Sequence, residues 1–141
     1  PKSIPADLAS LTSPNYYVVI GDPESGSIGR ETQKILTRRG IFAEVSSNAR
    51  RLTTDSKDLV RVLRDKEADL VLNWYATATW PENSAAVTAL PIDSQFVTPK
   101  RLVIGLLKTA RYPEIAKRFM AKAASPEGQA IFRKFGLYHE D

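Results

Sequence analysis

Apolar residues gather in short bursts along this chain, and the spacing within each burst predicts an element. YYVVIG, residues 16–21, is a nearly continuous run of β-branched and aromatic residues halted by Gly-Asp-Pro, the pattern of a buried strand. From Ser27 to Arg39 the residues Ile28, Ile35 and Leu36 share one helical face, and Gly40 stands where a helix should stop. IFAEVS (41–46) is expected to be a second strand. Thr54, Asp55 and Ser56 are candidate caps for a helix running to about Glu67, with Leu59, Val60, Val62 and Leu63 facing inward. DLVLNWY (69–75) predicts a third strand and VTALPI (87–92) a fourth. The intervening ATATWPENSA reads as a loop with room for one helical turn.

Beyond Pro91 the character changes. KRLVIGLLK (100–108) predicts a fifth, longer strand that leads into two helices. Pro113 suits the first turn of one, with Ile115, Phe119, Met120 and Ala123 in a stripe; Ser125 caps the next, with Pro126 at its first position and Gly136 at its end. The first fourteen residues carry three prolines and read as a linker. Alternation of strand and helix predicts an α/β layer on a mostly parallel sheet, with the strand from Tyr16 at its centre.

At 141 residues the chain can bury a real core, and 43% hydrophobic with 26% charged residues is a globular balance. The longest apolar run, Leu102–Leu107, is too short to span a bilayer as a helix. The chain opens at Pro1 without a charged-then-apolar leader, so it is expected to be a processed product or a piece of something longer. With no cysteine there is no disulfide, thiolate nucleophile or Cys-ligated metal. The net charge of +4 invites a nucleic-acid reading. The basic residues, however, are spread over several elements among acidic neighbours, with Arg50-Arg51 the one local cluster, so no nucleic-acid partner is expected.

Chemistry concentrates in GDPESGSIGR, residues 21–30, where a strand ends and a helix opens. A helix N-terminus presents unpaired N–H groups and the positive end of the helix dipole, and Ser25, Gly26 and Ser27 could add hydroxyl donors and close backbone approach to an oxyanion. The stretch is neither a P-loop nor a dinucleotide fingerprint. A plainer reading stands beside it: Asp22-Pro23 makes a turn and Ser25 or Ser27 caps the helix, and spacing alone favours that, because caps are common and anion sites are not. Trp74 and Tyr75 end a strand at the edge where open α/β sheets hold ligands, but both could equally be core aromatics. Asp55 with Asp58 and Asp65 with Glu67 read as solvated helix faces. His139 stands alone and builds neither a triad nor a metal site. No nucleophile, base and orienting group can be assembled, so neither an enzyme, a cofactor nor a metal is expected.

In order along the chain, GDPESGSIGRETQKILTRRGI, EADLVLNWYATA, KRLVIGLLK and YPEIAKRFMAKAASPEGQAIFRKFGL resemble the second half of the periplasmic molybdate-binding proteins, over about Asp7 to Leu137. The resemblance implies a type II periplasmic-binding fold: a linker at 1–15, the second lobe at 16–95, and a segment at 96–141 that returns toward a first lobe built mostly from residues preceding this chain. It implies a tetrahedral oxyanion, molybdate or tungstate, held by neutral donors, with the backbone N–H groups of Ile28 and Ser56 at the family's donor positions. Trp74 falls where the family usually has a ligand-binding Tyr, with Tyr75 next to it, and Asn73 replaces an apolar residue. These departures leave room for a different anion. The implied role is the periplasmic binding component of an ABC-type importer, partnered by a membrane permease. The alternative is an effector-sensing domain of a regulator with the same fold, and a signal peptide or a helix-turn-helix upstream would separate the two. Apolar residues at 115, 119, 120, 131, 132 and 135 would need cover, and association of two chains is expected to supply it.

Overall fold

The computed structural model describes residue 5 and residues 7–137, so His139 lies outside the described residues. The chain divides into two units, 1–98 and 99–141.

In the first unit a short 3-10 helix, Leu8–Thr12, is capped by the Asp7 carboxylate and leads to strand β1, Val18–Gly21. All four residues of β1 are buried, as a strand covered on both faces requires. β1 is central in a three-stranded parallel sheet, between β2 (Ala49–Thr53) and β3 (Leu70–Val71). Its side chains alternate between two cores. Val18 and Ile20 join Leu11, Ile35, Leu36, Val45 and Leu72, whereas Val19 joins Ile28, Leu59, Val62 and Ala68 on the opposite face.

Helix α1, Ser27–Arg39, occupies the predicted residues. It ends at Gly40, whose φ of 79° is left-handed; the N–H of Ile41 then reaches back to the Leu36 carbonyl (2.9 Å) and that of Gly40 to Thr37 (3.0 Å), satisfying two of the last-turn carbonyls. The expected strand at 41–46 is instead part of helix α2, Phe42–Asn48. Ile41, Phe42 and Val45 recur at i, i+1 and i+4, which is helical spacing, and all three pack into the first core. The strand comes one step later, as β2. Its Arg50 interrupts the register between the Val18↔Ala49 and Val19↔Arg51 pairs, and the guanidinium lies 3.5 Å from the Tyr17 ring centre.

Helix α3, Ser56–Arg64, crosses to β3, which regular pairing confines to two residues of the expected 69–75. Two short helices, α4 (Tyr75–Thr79) and α5 (Pro81–Ser84), fill the predicted loop. The expected strand at 87–92 is not formed: Pro91 lacks an N–H, Leu90 is exposed, and the N–H of Val87 turns back to the Asn83 carbonyl. Residues 92–97 instead lay Ile92, Phe96 and Val97 on the first core. Arg38 fastens them, donating from Nη1 to the Phe96 carbonyl (3.2 Å) and to the Thr98 hydroxyl (2.9 Å), while Arg39 sits over the Phe96 ring.

The second unit corrects the expected strand at 100–108, which has no regular secondary structure. A strand needs a ladder partner for its N–H and C=O groups, and none of the three strands pairs with this run. Leu102, Val103 and Leu107 are exposed. The two helices form as expected: α6, Pro113–Ala124, and α7, Pro126–Lys134. Ser125 closes one and caps the other, its hydroxyl donating to the Lys122 carbonyl (2.7 Å) and accepting from Gly128 N–H (3.2 Å).

Lys66 carries a φ of 60° at the end of α3, where Glu67 N–H returns to the Val62 carbonyl (2.8 Å). It occupies the position glycine favours, and the left-handed backbone costs about 1 kcal/mol for any other residue. Lys66→Gly is therefore expected to raise the unfolding free energy by about that amount in a urea titration, and a destabilised variant would contradict this account of the turn.

Candidate functional site

The three strands are parallel, so their C-terminal ends share one edge of the sheet, and the loops leaving β1, β2 and β3 meet there. Beyond Gly21, the N–H of Asp22 bonds the Thr53 carbonyl at 2.7 Å, fixing the β1 loop against the end of β2. Asp22 then organises its own turn. Its Oδ1 accepts from Glu24 N–H (2.9 Å) and its carbonyl from the N–H groups of Ser25 and Gly26 (3.3 Å each).

Three glycines make this turn possible. A Cβ on Gly29 would lie 2.0 Å from the Asp22 carbonyl oxygen, one on Gly21 would lie 2.8 Å from Gly29 N, and one on Gly26 would lie 2.6 Å from the Thr54 carbonyl oxygen. All three clashes are with backbone, which cannot swing aside as a side chain can. The loop is thus folded tightly onto itself and onto the start of the next crossover.

The position N-terminal to α1 is held by Gly26, with no side-chain cap and no acidic residue in the first turn. Neither Ser25 nor Ser27 caps the helix. Ser25 is exposed in the loop, Ser27 is the exposed first helical residue, and Ile28 is buried in the second core. α3 starts differently. Asp55, not Thr54 or Ser56, is its cap, and Oδ1 accepts from Lys57 N–H (2.8 Å) and Asp58 N–H (2.9 Å), leaving the N–H of Ser56 outside the cap. Asp55 spends its charge on its own helix. Asp58 is likewise engaged, by Arg61 (2.6 Å) and Arg51 (3.0 Å), and Arg61 also reaches Asp65 (2.9 Å). Hydrogen bonding first to Asp58 and then to Asp65 pushes the Arg61 pKa still higher, so the guanidinium stays charged. Of the acidic residues read as solvated helix faces, Asp58, Asp65 and Glu67 form a surface ion-pair network with these arginines.

At the end of β3, Asn73 links the remaining pieces: its Nδ2 donates to the Ser56 carbonyl and its Oδ1 accepts from Trp74 N–H, both at 2.9 Å. Trp74, half-buried, packs on the second core together with Ile28. Tyr75 begins α4 and is 57% exposed, directed away from that core. Gly26, Ile28, Ser56 and Trp74 therefore lie on segments held to one another at one edge of the sheet, whereas the Tyr75 ring stands in solvent. Sequence reading singled out Asn73 only as a departure. Its position immediately before Trp74, at a strand end, was the available signal. A shallow hollow of about 570 Å3 lies at the other end of α1, among Asp7, Arg39, Asp93 and Phe96, and it gathers none of these donors.

Among the described residues no group of His, Cys, Asp and Glu could hold a metal, and no helix is long and apolar enough to cross a membrane. A small parallel sheet of three strands flanked by helices is the architecture of a periplasmic-binding-protein-like lobe. The chain belongs to the bacterial extracellular solute-binding proteins, whose family model matches residues 1–138. No curated protein matches the chain. Its role is accordingly that of a solute-binding component in transport, outside the cytoplasm, and proteins of this kind bind their ligand rather than convert it.

The interlocked glycines give a direct test of the loop. Gly29→Ala forces a backbone clash, so thermal unfolding should fall by several degrees, whereas Gly105→Ala, with open space around its Cα, should leave it unchanged. Equal midpoints for the two variants would show that the loop relaxes freely.

Proposed function

We propose that this chain binds a tetrahedral oxyanion, such as molybdate or tungstate, at the start of α1, as the ligand-binding component of an ABC-type importer with a membrane permease as partner. One observation carries this reading. The first turn of α1 has no side-chain cap, while the neighbouring α3 is fully capped by Asp55 except for Ser56 N–H. Such a site works through directed neutral donors: the N–H groups of Ser27 and Ile28, the hydroxyls of Ser25 and Ser27, and Ser56 N–H, with Gly26 allowing close approach. Trp74 would border the ligand, its indole offering a single N–H donor. A site made only of donors favours dianions that carry no proton, because it has nothing to accept the hydrogen of a phosphate hydroxyl.

Calorimetric titration with molybdate, tungstate, sulfate and phosphate tests the reading. Binding should favour the unprotonated dianions over phosphate, weaken with Ser27→Ala, and be lost with Gly26→Val, whose side chain would press on the Thr54 carbonyl. Preference for phosphate, or indifference to Gly26→Val, would overturn it.

The second unit leaves Ile115, Phe119 and Ile131 exposed on α6 and α7, in addition to the apolar run at 102–107. Leaving each such side chain in water forgoes about 1.5–3 kcal/mol, which supports association of two chains through this unit. Light scattering on the 141-residue chain should give a dimer. A monomer across a wide concentration range, with little dye binding, would count against association.

A further inference from the structure

The positive charge of the chain is not shared between its two units. Residues 1–98 hold eleven lysines and arginines against twelve acidic residues, whereas residues 99–141 hold nine against four, so the second unit alone carries a net +5. Of its acidic residues, Glu114 and Glu127 are each taken by a lysine, Glu114 by Lys117 (2.8 Å) and Glu127 by Lys122. Arg101, Lys108, Arg118, Arg133 and Lys134 are exposed and make no ion pair among the described residues.

The same unit sets its exposed apolar side chains beside these cations. On α6, Ile115, Arg118, Phe119 and Lys122 stand at i, i+3, i+4 and i+7 and so share one face, on which Ile115 is 66% and Phe119 65% exposed. Ile131, Lys134 and Phe135 repeat the first three steps of that spacing at the end of α7. Arg101 and Lys108 bracket the exposed Leu102, Val103 and Leu107. Basic side chains in such positions can lay their stems along a hydrophobic layer and keep their charged ends at its phosphates. Residues 100–107 have no regular secondary structure and α6 has only twelve residues, so the unit suits the headgroup level and not the hydrocarbon interior.

We infer that the second unit is a docking surface for an anionic lipid bilayer, with Arg118 meeting the headgroups and Ile115 and Phe119 reaching the acyl boundary. A second copy, proposed above as the cover in water, brings one net +5 unit against another; an anionic bilayer covers the apolar side chains and neutralises the cations together. The inference uses nothing of the oxyanion site, so failure to bind molybdate or sulfate leaves it untouched.

The experiment floats the whole 141-residue chain with vesicles of phosphatidylcholine alone, or of phosphatidylcholine mixed equally with phosphatidylglycerol. Arg118→Gln, Phe119→Ser and, as a control in the first unit, Lys34→Gln are compared with the unmodified chain. The chain should float with the mixed vesicles and not with phosphatidylcholine, and raising salt from about 0.05 to about 0.5 M should release it. Arg118→Gln should bind about fivefold more weakly, the loss of one cation near an anionic surface, and Phe119→Ser about tenfold more weakly, while Lys34→Gln should match the unmodified chain. Both altered side chains of α6 are exposed, so helix content by circular dichroism should be retained; if Phe119→Ser loses helix, Arg118→Gln decides. No flotation, equal uptake by the two kinds of vesicle, or an equal loss in Lys34→Gln would each overturn the inference. A dimer in light scattering that mixed vesicles leave in solution would assign the apolar faces to a second copy and overturn it as well.

Discussion

Everything in the first unit depends on how closely β1 and α1 approach each other. β1 is buried on both faces, so the chain leaving it must turn within a few residues and return over the sheet without exposing either core. Gly21 and Gly29 permit this, because any Cβ at either position would meet the other's backbone or the Asp22 carbonyl. The same tight return brings the start of α1 to the edge where β2 and β3 also end. Core packing and site construction are consequences of one contact, and a change that loosens the first disturbs the second.

The division of labour between the two helix starts follows from ordinary capping chemistry. A carboxylate in the cap position satisfies the first turn internally and cancels part of the dipole's positive end; a glycine there does neither. α3 has Asp55 and α1 has Gly26, so two helices that begin at the same edge differ in what they can offer a solute. Around them the charged side chains are largely engaged with one another, as in the Arg51–Asp58–Arg61 network, whose exposed pairs contribute little to stability but leave those carboxylates committed.

Much of the fold was legible because its signals were local. The bounds of α1 and α6, the central place of β1 and the Ser125 junction follow from apolar spacing, Pro at helix starts and Gly at their ends. What misled was apolar content without periodicity. IFAEVS is short enough to resemble a strand, yet its apolar residues fall at helical intervals, and β2 instead uses ARRLT, an edge strand whose arginines face outward. KRLVIGLLK and VTALPI have strand composition, but a strand is a property of pairs, and composition cannot supply the neighbour. At the site, the glycine loop and the strand-end aromatics were visible as chemistry. The capping arrangement was not, since Asp22, Asp55 and the two serines all have residue types that suit a cap, and only geometry assigns the role. Asn73 was hidden for a related reason: its two bonds join residues seventeen positions apart and adjacent in sequence, respectively, and no spacing rule connects them.

The grip of Arg38 on Phe96 and Thr98 has a consequence for chain statistics. Residues 85–112 carry no helix or strand and would otherwise behave as one long tether. Holding them near the middle replaces that tether with two of roughly half the length, a change worth only about 0.6 kcal/mol in closure entropy per halving. Its larger effect is on reach. The last residue anchored to the first unit is Thr98 rather than Ala85, so the guanidinium at the end of α1, together with the packing of Ile92, Phe96 and Val97, fixes the length of the connection that leads to the exposed apolar run at 102–107.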